Sequence, residues 1–244
     1  MTTRIGMLTP SSNTVLEPLT YKMLEGIGEV TAHFSRLRVK KMTAEAESDL
    51  QFAATAMLPV AELLADAAVD VLAWNGTAGS WMGPDGDRRL CRELSGATGI
   101  PATTSTLALI DACKVLRVSR VGLATPYLSR LNELISQHYA REGIQVVASE
   151  HLGMADNLAV GALTPEEIRT LVVRAARDGA QAVAVVCTNV AATELVQELE
   201  QELGIPVLDS IAVTLWKCLD LAGSVQRPDG FGKIMAASGT RRGA

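Results

Sequence analysis

Ile5-Gly-Met-Leu-Thr-Pro10, near the start of the chain, returns as Val121-Gly-Leu-Ala-Thr-Pro126 near its middle. Each is a short apolar run followed by Thr-Pro, the pattern of a buried strand. Working outward, Asp70-Val-Leu-Ala-Trp-Asn-Gly-Thr77 is matched by Gln181-Ala-Val-Ala-Val-Val-Cys-Thr188, and Thr98-Gly-Ile-Pro101 by Leu203-Gly-Ile-Pro206. One such match arises easily by chance. Three in the same order in both halves read as one α/β unit used twice.

Strands are predicted at Arg4–Leu8, Val30–Arg36, Val69–Trp74, Ala102–Thr103, Arg120–Ala124, Gln145–Ser149, Ala182–Val186 and Val207–Asp209. Amphipathic stretches predict helices over Glu47–Ala68, Ser129–Glu142, Pro165–Asp178 and Ala191–Leu203. Thr164-Pro165-Glu166-Glu167 is a helix start, with a capping hydroxyl, proline at the first position and acids at the positive dipole end. Strands alternating with helices give parallel sheets covered on both faces. The expected fold is α/β, with two pseudo-symmetric lobes, each a parallel sheet flanked by helices. Residues 1–116 form the first lobe and 117–244 the second, with the C-terminal helix free to pack back on the first. In such sheets ligands bind beyond the C-terminal strand ends, where the repeated motifs lie.

The 244 residues suit two units of this kind, and a net charge of −5 gives no electrostatic reason to bind nucleic acid or an anionic membrane. No apolar run reaches the ~20 residues of a membrane span. The N-terminus lacks the zones of a signal peptide, so a cytoplasmic location is expected. Cys91, Cys113, Cys187 and Cys218 include no CxxC pair, and the three histidines lie far apart. Reduced thiols and no metal site are expected.

Cys187 ends a strand and precedes Thr188-Asn189 and a segment read as helical, so backbone donors and a helix dipole are expected to favour its thiolate. The other three cysteines lie within helical patterns and read as core. Thr9-Pro-Ser-Ser-Asn-Thr14, including Ser11 and Asn13, offers hydroxyls, an amide and N–H groups that hold a carboxylate or cap a helix. Asn75-Gly76-Thr77-Ala78-Gly79-Ser80 is the first-lobe counterpart of Cys187-Thr188-Asn189, and its small residues let a ligand approach the backbone. Tyr127, after the second Thr-Pro, offers a phenol to an oxyanion. Neither a Walker loop nor a GxGxxG turn follows any strand.

Taken together, the Thr9–Thr14 loop with Glu17-Pro18, the Asn75–Ser80 turn, Thr125-Pro-Tyr127, Asp156-Asn157 and Cys187-Thr-Asn189 resemble the maleate cis–trans isomerase and arylmalonate decarboxylase group of the aspartate/glutamate racemase superfamily. The resemblance runs from Ile5 to about Gly230. It implies an enzyme without a cofactor, its active site between the lobes and its substrate a small carboxylic acid. Racemase members carry a cysteine in each lobe. In the isomerases the first-lobe cysteine adds to the double bond. Here Cys187 matches the second-lobe cysteine, and Asn13, Tyr127 and Asn157 match carboxylate-binding positions. Gly76 stands where the first-lobe cysteine would be, as in the decarboxylases.

The expected activity is therefore decarboxylation of a small mono- or dicarboxylic acid through an enolate-like intermediate, with Cys187 catalytic. Ser11, Asn13, Gly76, Thr77, Tyr127, Asn157, Thr188 and Asn189 are the expected substrate-binding residues. Maleate-to-fumarate isomerisation by Cys187 is the alternative, and a catalytically silent carboxylate-binding protein a third. The partner is a small acid beside Trp74 and Trp81; a homo-oligomer is compatible with this reading.

Overall fold

A computed structural model describes residues 2–39 and 52–237. All eight expected strands form: β1 (Thr3–Pro10), β2 (Val30–Leu37), β3 (Val71–Trp74), β4 (Ala102–Thr104), β5 (Arg120–Thr125), β6 (Gln145–His151), β7 (Ala182–Val185) and β8 (Val207–Asp209). They make two wholly parallel four-stranded sheets, ordered β2-β1-β3-β4 and β6-β5-β7-β8. The central strands are buried on both faces, which is why they read as unbroken apolar runs, whereas edge strands β2 and β6 are partly exposed.

The repetition extends to register. Ile5 pairs with Val71 in the first sheet, and its counterpart Val121 pairs with Ala182 in the second. Counting equally far from Val71 and Ala182 brings Gly76 and Cys187 to equivalent places, each just beyond its strand. The repeated glycine of the opening motif has a packing reason in both lobes. A β-carbon on Gly6 would lie 2.9 Å from Leu72 Cδ2, and one on Gly122 would lie 1.9 Å from the Ala175 carbonyl oxygen. These glycines let the sheet accept a closely packed layer.

The described helices are α1 (Leu16–Leu24), α2 (Ala54–Ala65), α3 (Gly79–Met82), α4 (Pro84–Thr98), α5 (Ser105–Val115), α6 (Ser129–Arg141), α7 (Asn157–Val160), α8 (Pro165–Ala175), α9 (Val196–Leu203) and α10 (Ser210–Leu221). Of the helix expected over Glu47–Ala68, Ala54–Ala65 is helical and residues 47–51 lie outside the described part. Helix α8 opens with the capping box read from Thr164, whose side chain accepts from Glu167 N. Among the described residues no helix is long and apolar enough to cross a membrane.

The segment after Cys187 departs from expectation. Instead of a helix from Ala191, a turn leads into a 3-10 helix at Thr193–Leu195, and α9 begins only at Val196. Thr193 accounts for the delay: it is buried, and its hydroxyl donates to Asp209 Oδ2 at 2.7 Å. The first lobe has the same kind of pair with roles exchanged, Thr104 at the strand end donating to Asp87 Oδ2 at 2.5 Å. Thr104 and Asp209 also cap α5 and α10. Those two helices pack against each other across the lobes, tied by a 2.9 Å bond from Thr214 Oγ1 to Ser105 Oγ. Helix α10 also contacts α1, β3 and β4 of the first half.

Candidate active site

The strand ends of the two lobes meet at a small, narrow cleft lined by Pro10, Gly76, Thr77, Tyr127, Cys187 and Thr188, with Asn157, Val39 and the aromatics Phe52, Trp74 and Trp81 around them. Six of the residues singled out in the sequence thus share one wall. The other three, Ser11, Asn13 and Asn189, stand behind it.

Their side chains interlock the two lobes. Asn13 Nδ2 donates to Thr188 O at 3.0 Å and Oγ1 at 3.2 Å, while its Oδ1 accepts from Val15 N and Leu16 N. Asn189 does the reverse, Oδ1 accepting from Thr14 N at 2.9 Å and Val15 N at 3.2 Å, and Nδ2 donating to Asn157 O at 2.5 Å. Both amides are buried and fully engaged, so both position the walls of the cleft. Ser12, which sequence reasoning did not single out, accepts from Asn157 Nδ2 at 2.9 Å and donates to Val39 O at 2.6 Å. Ser11 is exposed and bonds Val39 instead.

The polar end of the cleft is a hydroxyl relay. Thr77 Oγ1 and the Tyr127 hydroxyl are 2.5 Å apart, and the Tyr127 hydroxyl also reaches the Cys187 sulfur. With Tyr127 donating to sulfur, its oxygen accepts from Thr77. Burial and the neighbouring thiol hold Tyr127 well above the ordinary phenol range, so it stays a neutral donor. Thr188 Oγ1 donates to Asn75 O at 2.9 Å, joining the two equivalent turns. Among the described residues the main-chain N–H groups of Gly76, Thr77, Cys187 and Thr188 have no acceptor. They form a set of donors at paired strand ends, suited to an anion that carries no counter-charge.

Cys187 does not behave as the sequence suggested. Burial pushes its thiol up to about 11, against the smaller opposing effect of donors from Asn189 N, Tyr127 and Val190 N. The favourable helix start is missing, because α9 begins nine positions later, and at 2% exposure desolvation wins. The resting group is a protonated thiol. Reactivity follows access: Cys91 is the one partly exposed cysteine. Brief iodoacetamide treatment followed by mass spectrometry is expected to label Cys91 first and Cys187 slowly, reversing the order that a strand-end thiolate would give. Rapid labelling of Cys187 would show an opening of the cleft and a more acidic thiol.

Gly76 is held to glycine by a neighbour. Its φ is not positive, yet a β-carbon there would lie 2.3 Å from Trp74 Cε2 and Cζ2. The Trp74 indole, 1% exposed, fills the space that a first-lobe side chain would enter. In the second lobe the position equivalent to Trp74 is Val185, and beside it Cys187 has room.

The geometry defines a class: two copies of a parallel α/β unit face each other across a small cleft with one thiol and a ring of neutral donors. The sequence model described as arylmalonate decarboxylase matches residues 5–235. The maleate isomerase of Geobacillus stearothermophilus is 31% identical over 229 residues, covering 88% of this chain and 90% of that relative. The arylmalonate decarboxylase of Bordetella bronchiseptica is 30% identical over 146 residues, 58% of this chain and 60% of that relative. A maleate isomerase variant from Pseudomonas putida S16, solved with maleate, superposes with a TM-score of 0.86 at 27% identity, covering 98% of this chain and 99% of that one. The chain belongs to the arylmalonate decarboxylase family, with maleate isomerases among its relatives.

Proposed function

We propose that the protein is a cofactor-independent enzyme that decarboxylates a small carboxylic acid through an enediolate, with Cys187 as its single catalytic thiol. The observation that carries this reading is the pairing of Gly76 with Cys187, the first position closed by the Trp74 indole and the second a buried, protonated thiol. One face of the substrate then meets an acid, and the other meets none.

The chemistry follows from the donors. As the bond from the α-carbon to the departing carboxylate breaks, CO₂ leaves and the electron pair passes into a second carboxylate on the same carbon, giving an enediolate. Its oxygens accept from the strand-end N–H groups of Gly76, Thr77, Cys187 and Thr188, an oxyanion hole that acts on charge developed in the transition state. The S–H of Cys187 then protonates the α-carbon. The resulting thiolate is held by Tyr127, Asn189 N and Val190 N until solvent returns the proton. Ser11, Asn13, Asn157 and Asn189 serve as substrate-side residues by fixing these walls.

A second reading is supported by the maleate isomerases among the relatives: Cys187 as a nucleophile on a cis double bond. The two differ in the sign of their pH dependence. A proton donor that titrates at about 11 is fully armed at neutral pH, so kcat/KM is expected to stay level into the alkaline range and fall as pH approaches that value. A thiolate nucleophile would give kcat/KM rising about tenfold per pH unit over the same range. A pH–rate profile on any turned-over acid separates them.

A further inference from the structure

Among the described residues one buried side-chain donor in the cleft wall has no partner. Trp81, on α3, lines the cleft and is 4% exposed. Its Nε1–H is buried and finds no acceptor among the described residues. Buried indole N–H groups are ordinarily paired. The buried Trp216 shows the usual arrangement, its Nε1 donating to Ala237 O at 3.0 Å.

The position of Trp81 is firmly held. Its ring meets Tyr127 edge-to-face at 5.0 Å and Phe52 at 6.3 Å. The preceding Ser80 bonds Tyr139 at 3.0 Å and Thr106 at 3.2 Å, and Trp81 N donates to Ala78 O at 3.1 Å. The indole is therefore preorganised in the cleft wall against the Tyr127 ring. Thr77 and Tyr127 already serve one another and the thiol, whereas the indole N–H serves no acceptor among the described residues.

We propose that Trp81 is a substrate-binding residue whose N–H donates to a second acceptor of the bound acid, a carboxylate oxygen other than those held by the strand-end N–H groups. Trp81 thereby selects dicarboxylates over monocarboxylates of the same shape. An acid with only an apolar group at that point leaves the N–H unpaired, and discrimination by an unpaired buried polar group is steep. This role presupposes the carboxylic-acid function proposed above.

The test uses Cys187→Ala protein, whose turnover is expected to be slow, titrated calorimetrically with phenylmalonate, maleate and phenylacetate, with and without Trp81→Phe. Phenylalanine keeps an aromatic ring and removes the N–H. The dicarboxylate that binds best is expected to lose about tenfold or more in affinity, while phenylacetate changes less than about twofold. In ¹⁵N-labelled protein with Trp81 intact, the indole proton assigned to Trp81 is expected to move downfield on dicarboxylate binding and not on phenylacetate binding, a readout independent of how the variant folds. Equal losses for both acid classes, or an unmoved resonance with a bound dicarboxylate, would overturn the Trp81 assignment alone. Failure of all three acids to bind would overturn the carboxylic-acid function and the assignment with it.

Discussion

Cys187→Ala is expected to lower kcat by about 10²–10⁴-fold, the usual contribution of a positioned acid, with little change in the affinity for substrate. The reason is the emptiness of the opposite face: with glycine at position 76 no second side chain takes over the proton. The fold has less to lose. Cys187 is 2% exposed, and removing one buried sulfur costs ~1 kcal/mol, a fall of roughly 2–4 °C in Tm for a chain of this size. Steady-state kinetics beside a thermal melt measures both effects. Retained turnover would move the proton donor to Tyr127 or to water.

The second large effect concerns Trp74. Gly76→Cys alone is expected to destabilise the protein by ~1–3 kcal/mol through overpacking, since its β-carbon would come within 2.3 Å of the indole. Trp74→Val alone empties a core site beside Phe52 and is expected to cost about 3 kcal/mol or more. Together the two changes reproduce the second-lobe arrangement of Val185 and Cys187. The double variant is therefore expected to be more stable than the sum of its parts by a coupling of about 1 kcal/mol or more. It would also present a second thiol opposite Cys187, so two-faced proton exchange is expected in D₂O, seen by NMR as loss of the α-proton signal of a 2-arylpropionate and by chiral chromatography as its racemisation. Strictly additive melting temperatures would show that Trp74 is not what holds position 76 to glycine.

The fold was legible because it is written twice. Ile5–Pro10 and Val121–Pro126 mark two central strands, and the matched Asn75–Thr77 and Val186–Thr188 segments mark the strand ends where the cleft lies. Local physics was less visible. Ala191–Leu203 has the apolar spacing of a helix along its length, but the tertiary bond from Thr193 to Asp209 holds its start in a tighter turn. The acidity of Cys187 followed from that error. Its strand-end position suggested donors, which are present, but nothing local in the sequence gives the depth of burial that outweighs them. Asn13 and Asn189 read as ligands for a carboxylate because side-chain amides suit one. Their exchange of bonds across the lobes depends on residues 175 positions apart. Trp74 was readable as an aromatic next to the site, yet its role as the reason for Gly76 is a matter of side-chain placement.

The most direct measurement follows the native enzyme by NMR in D₂O with phenylmalonate and, separately, with maleate. Phenylmalonate is expected to release CO₂ and give phenylacetate with one deuterium at the α-carbon, and maleate is expected to yield no fumarate. Fumarate from maleate, with no CO₂ from phenylmalonate, would contradict single-thiol decarboxylation and make Cys187 the nucleophile of an isomerase.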